Sequence, residues 1–245
     1  MQNEKEPGII GIIRYNTHHH LLNYPAVSRL DYGFEEMMKT MKKQFKYVKA
    51  GQLKSVTVFL KKWPKELMEV QHFQNVPDLD ISVTRSNFND VLNYLNANQN
   101  LKKLKLVTPS KFKLPNKFFK SDAFRKLDVA IFDMATKITD ADFLSSDAWV
   151  LDIWESISAE TLNLKLYKWF ESRLDVDVRY HIRYSMEIDK SVVKQGLPFE
   201  ELARANGSAI ISRPDGKIGC LLFPLNSITF TIIDLEEGDD VLAML

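Results

Sequence analysis

One cysteine, Cys220, stands in 245 residues. An internal disulfide is therefore excluded, and a reducing compartment is implied. Glycine is sparse at nine residues, and no phosphate-cradling loop is formed from it. The stretch "GIIGII" lacks both the spacing and the following Lys-Ser/Thr that such a loop needs. Long apolar runs are missing too: "IIGII" falls far short of the ~20 residues that span a bilayer. The opening "MQNEKEPGII" is polar and mixed in charge, without the apolar core of a signal peptide. The expectation is a soluble protein of the cytoplasm or nucleus with no membrane partner.

What is present is enough for a large core. Hydrophobic residues make up 45% of the chain and the formal net charge is +1, as in a folded domain and not a disordered tail. Neutrality conceals an asymmetry. Residues 1–130 hold 22 Lys and Arg against 12 Asp and Glu, a surplus of 10. Residues 131–245 hold 11 against 20, a deficit of 9. The basic part is densest in "MKKQFKYVKAGQLK" and from Lys102 to Lys126, and the acidic part ends in "DLEEGDD". A basic half attracts nucleic acid or an acidic protein; solvation of helix faces and loops accounts for the same lysines.

A pattern recurs along the chain: two apolar residues two apart, as on a half-buried strand, followed by a helix-like segment. The apolar pairs are Val56/Val58, Leu79/Ile81, Leu104/Leu106, Leu127/Val129, Leu151/Ile153 and Tyr180/Ile182, with steps of 23, 25, 23, 24 and 29 residues. Helical signals lie between them. "NFNDVLNYLNANQ" has Asn87 or Asn89 as its cap and Val91, Leu92 and Leu95 as its stripe. "TDADFLSSD" starts at Thr139. "SISAETLNLKLYKWFE" is capped by Ser158, with Glu160 in its first turn and Leu162, Leu166, Trp169 and Phe170 as its stripe. A period in this range marks a solenoid, because one strand–helix unit cannot bury its apolar face alone.

The expected fold is α/β: an irregular leucine-rich-repeat-like solenoid of strand–helix units with a C-terminal β-meander cap. It is irregular because the asparagine that follows each strand in the standard repeat is replaced by Lys61, Thr84, Pro109, Phe132 and Ser156. In "GSAIISRPDGKIGCLLF", Pro214, Asp215 and Gly216 signal a hairpin, and "SITFTIID" supplies a third strand. The chain thus divides into an N-terminal segment with a capping helix (1–50; Met37, Met38, Met41, Phe45 and Val48 on one face), strand–helix repeats (51–190) and the meander (191–245), as one continuous domain.

Chemistry-bearing motifs are few. His18, His19 and His20 are adjacent, so they cannot converge on one metal from a regular strand or helix, and no acid or cysteine completes a set. Cys220 sits in the apolar "IGCLLF", where a buried core role outweighs a nucleophilic one. The aspartates of "TDADF" fit a helix first turn. Asn163 and Trp169 read as packing residues. No catalytic, cofactor-binding or metal-binding residue is assigned, and no enzyme is expected.

Two blocks carry a family resemblance. "SISAETLNLKLYKWFE", with Leu162, Asn163, Leu166, Lys168 and Trp169, and the later hairpin with Arg213, Asp215, Gly216 and Lys217, together resemble the nematode F-box-associated domain, type 2, over roughly residues 125–235. The glycine that often follows the tryptophan in that family is absent from "FESRLD". The F-box is not found: "YPAVSRLDYGFEEMMKTM" echoes its start, but the strand "SVTVFL" follows too soon. The resemblance implies a protein-recognition module akin to the substrate-binding part of a ubiquitin-ligase adaptor. Its partner would be a protein substrate, with the Skp linker and cullin ligase only through a docking element. The alternative, from charge alone, is a nucleic-acid-binding scaffold using the basic half, although no nucleic-acid-binding motif is present.

Overall fold

A computed structural model describes residues 55–58, 74–108, 111–155, 157–172, 178–184, 188–202 and 207–233, together with Lys39 and Lys43. The expected N-terminal helix lies outside them except at Lys39 and Lys43, both helical and exposed. His18, His19 and His20 also lie outside the described residues. The chain packs as two compact units, Met1–Ala135 and Thr136–Leu245.

In the first unit β1 (Ser55–Val58), β2 (Asp78–Ser82), β3 (Lys103–Val107) and β4 (Val129–Ala135) pair in sequence order, all parallel. α1 (Phe88–Ala97) connects β2 to β3, and α2 (Asn116–Phe119) and α3 (Asp122–Arg125) connect β3 to β4. Parallel neighbours require such crossovers, and right-handed crossovers added in one direction place the helices on one face of the sheet. The inward row is set by register: Val56, Leu79, Leu104 and Ala130 are partners, as are Ile81, Leu106 and Phe132. Phe118, Phe119 and Phe124 from the two short helices close on Phe132, with ring centroids 5.1–6.3 Å apart.

Two sequence expectations are corrected here. Leu127 and Val129 were the expected inward pair of the fourth strand; Ala130 and Phe132 take those places, and Leu127 is buried in the turn before β4. The run Val129–Phe132 is apolar at both parities, so alternation does not choose a face; the aromatic cluster does. Asn87 does precede α1, but its side chain does not cap the helix. Its Oδ1 accepts from the Thr84 amide at 2.7 Å and shapes the entering turn instead. The stripe itself is as expected, with Val91, Leu92 and Leu95 buried. α2 and α3 carry no periodic signal, because four residues are too few to show a helical period.

In the second unit α4 (Asp140–Ser145) precedes β5 (Val150–Trp154), then α5 (Ala159–Glu171), β6 (Arg179–Arg183) and α6 (Lys190–Lys194) follow. β7 (Glu200–Glu201), β8 (Ala209–Ser212), β9 (Ile218–Leu222) and β10 (Ser227–Ile233) complete it. β5 and β6 are parallel. β8, β9 and β10 form an antiparallel meander, β7 pairs with β8, and β10 lies antiparallel to β6. The hairpin turns where "RPDGK" signals it: the Arg213 amide donates to Lys217 O at 2.8 Å, and Gly216 adopts φ +90°, which a side chain would strain. The helices cover the face carrying Leu151, Tyr180, Phe230 and Leu221. There Phe143 meets Tyr180 at 6.1 Å and Trp169 meets Phe230 at 4.8 Å between centroids. Among the described residues no helix is long and apolar enough to cross a membrane.

Candidate functional site

The two signature blocks meet in space, on the helix side of the second unit. α5 starts as expected, with Ser158 Oγ accepting from the Thr161 amide, and buries Leu162, Leu166 and Trp169. Arg213, only 4% exposed, lays its guanidinium over the Trp169 ring at 5.2 Å and donates from Nη1 to Trp169 O at 3.2 Å. The same guanidinium donates to the Asp215 carboxylate, with Nε to Oδ1 at 2.8 Å, and holds that carboxyl down to about 2. Asn163 Nδ2 donates to Val193 O and Gln195 O, at 3.0 and 2.8 Å, which fastens α6 to α5. All of these contacts hold elements to one another.

A buried lysine performs a related task. Lys165, 6% exposed, donates to Phe143 O at 3.4 Å and to Ser146 O, satisfying carbonyls at the end of α4. Burial lowers its ammonium to about 8, with Lys168 adding to the shift and Asp147 opposing it. In the first unit Lys126 likewise donates to Leu95 O at 3.1 Å and to Asn98 O, at the end of α1. Helix C-termini present unpaired carbonyls and negative partial charge, which a lysine answers on both counts.

The opposite sheet faces carry the polar residues. In the first unit, strand partners on that face form ion pairs: Lys103 with Asp78 at 3.1 Å and Lys105 with Asp80 at 3.9 Å. Burial raises the Asp80 carboxyl, and Lys105 opposes the rise. Lys102 pairs with Asp128 at 3.4 Å. Much of the local basic excess is thus neutralised or engaged in capping. Lys111, Lys113, Lys117 and Lys120 remain exposed between β3 and α3.

The second unit offers a different surface. Across β5 and β6 the partners on this face are Val150 with Arg179, Asp152 with His181 and Trp154 with Arg183. β10 continues the rows with Thr231, Thr229 and Ser227. Trp154 is 44% exposed, among the most exposed large apolar side chains described. It is not loose: the Arg183 guanidinium lies 4.8 Å from its ring centroid. Arg183 Nη2 in turn donates to both oxygens of Asp152 at 2.9 Å. In the next row His181 Nδ1 lies 2.8 Å from Thr229 Oγ1. Burial pushes the imidazole below its ordinary 6.5; Asp152 opposes this, while Arg183 and Arg179 reinforce it.

None of these residues is among those that the sequence singles out for chemistry. A signal was there: in "VLDIW", Trp154 shares the parity of Asp152 and not of Leu151 and Ile153, so it is an aromatic on the polar face of its strand. Cys220 is fully buried, and burial raises its thiol to about 11. No group of three or more metal-capable side chains occurs among the described residues. No protein-family model, curated protein or solved structure matches the chain.

Proposed function

We propose that this chain is a protein-recognition module, akin to the substrate-binding part of an F-box ubiquitin-ligase adaptor. Its contact surface is the strand face around Trp154, which no described helix covers. The carrying observation is the exposed tryptophan, stacked by an arginine that Asp152 clamps. Trp and Arg dominate binding hot spots, and a side chain already held in place loses less entropy on association. We read the strand–helix units as an irregular leucine-rich-repeat-like solenoid closed by the meander and acting in the cytoplasm or nucleus. Such a solenoid presents its strand face to partners.

Enzymatic use of the His181–Thr229 pair is disfavoured on this reading. β6 is paired on both sides, so its strand amides serve the ladders and do not stabilise an oxyanion.

The test is cross-linking and recovery of partners from lysate with the full chain and with Trp154→Ala, scoring the Skp linker and cullin by immunoblot. Proteins recovered by the parent chain and lost with the variant are the expected result. Equal recovery by both removes Trp154 from the surface. Skp linker and cullin appear only if a docking element is present.

A second reading rests on Lys111, Lys113, Lys117 and Lys120, exposed within ten residues. A nucleic-acid scaffold using them would lose affinity steeply with salt, by a slope of about one per phosphate contact. Titration of a fluorescent single-stranded oligonucleotide at two salt concentrations separates this reading from the first.

A further inference from the structure

The second unit is acidic, yet the described residues on the face around Trp154 carry a cationic excess. Residues 136–245 hold 19 Asp and Glu against 11 Lys and Arg. Many of those acids are engaged away from this face. Asp142 completes the capping box of α4, and Asp140 accepts from the Ser158 amide. Asp189 caps α6, Glu201 pairs with Lys194 and Asp215 with Arg213. On the rows of β5, β6 and β10, Asp152 is the one acid among the described residues, and Arg183 holds both of its oxygens. Arg179 is exposed in the same plane, and its guanidinium makes no hydrogen bond or ion pair with the described residues. Among the described residues the face therefore carries one uncompensated guanidinium, beside an imidazole that it helps keep neutral.

Position gives this charge a direction. Arg179 and Arg183 lie four residues apart on β6 with the same parity, about 13 Å along the strand. Trp154 stands beside Arg183, and Val150 beside Arg179. Taking the recognition reading above as its premise, we infer that the partner is an acidic, extended protein segment. An apolar side chain of that segment covers the free part of Trp154, and a carboxylate about four residues away meets Arg179. Arg183, already paired, contributes its plane and not its charge. His181 and Thr229, with the paired Asp152, form the row between the two contacts, and Val150 and Thr231 flank Arg179.

The experiment is panning of a phage-displayed library of random dodecapeptides against the full chain, Trp154→Ala, Arg179→Glu and Arg179→Gln, with each variant first shown to retain the parent's circular dichroism and melting. Peptides captured through Trp154 should be enriched in Asp or Glu spaced about four residues from an aromatic or aliphatic residue. Their binding should fall about tenfold or more with Arg179→Glu and less with Arg179→Gln. Panning on Arg179→Glu should select Lys or Arg at the same spacing. Peptides that need Trp154 but are neutral or basic, and that ignore Arg179→Glu, overturn the acidic partner while leaving the recognition surface standing. Capture that ignores Trp154→Ala, or no capture at all, overturns both.

Discussion

At the scale of single residues, the smallest side chain carries one of the tightest constraints. Gly219 lies on β9 under Phe230 and Trp169; a Cβ built there falls 2.6 Å from Phe230 Cζ and 2.9 Å from Trp169 Cη2. Both rings sit in the packed core, so neither can withdraw into solvent. Gly219→Ala is expected to destabilise the fold by about 1–3 kcal/mol, read as a lowered urea midpoint with an unchanged slope. His181 gives a pH signature. Its folded pKa lies below the 6.5 of the unfolded chain, so on acidification the unfolded state takes up the proton first. Stability is therefore full above pH 6.5 and falls as pH drops from there toward the folded pKa. Urea midpoints measured between pH 7.5 and 5 should show that fall in the parent chain, and a smaller one in His181→Gln.

At the scale of elements, the device that recurs is a side chain from one segment answering the backbone of another. Arg213 of the hairpin reaches Trp169 O at the end of α5, while its guanidinium stacks on the Trp169 ring. Arg213→Ala removes the stacking, the hydrogen bonds and the ion pair together. A loss of about 2–4 kcal/mol is expected. Arg213→Lys restores charge without the planar fork and should recover only part of it. The comparison distinguishes specific docking of the hairpin on the helix from simple charge balance. Lys165 and Lys126 belong to the same class, each closing the C-terminal end of a helix from the next strand–helix unit.

At the scale of the whole molecule, the single cysteine becomes a reporter. Cys220 is fully buried and its thiol is raised to about 11, so only opening of the surrounding structure exposes a reactive thiolate. Labelling by Ellman's reagent at neutral pH should be at least about a hundredfold slower in the native chain than in urea. Its rate should follow urea concentration as the second unit's unfolding does. Fast native labelling would mean that this strand is exposed far more often than its packing implies. Much of this architecture was legible in advance. Alternation in "VLDIW" and "LKLV", the caps at Thr139 and Ser158, and the turn residues of "RPDGK" are local signals, because strand parity, helix caps and turn conformations depend on neighbouring residues in the chain. The sequence by itself therefore determined the strand segments other than the two-residue β7, where two of the helices begin and where the last hairpin turns. Tertiary structure alone decided that Phe132 and not Val129 faces inward, that β10 docks on β6, and that Arg213 meets Trp169 across more than forty residues. It also decided that Trp154, Arg183 and Asp152 form one cluster. Such contacts depend on which distant strand supplies the neighbour, and register between strands is fixed by the packing of a whole face, which no local pattern encodes.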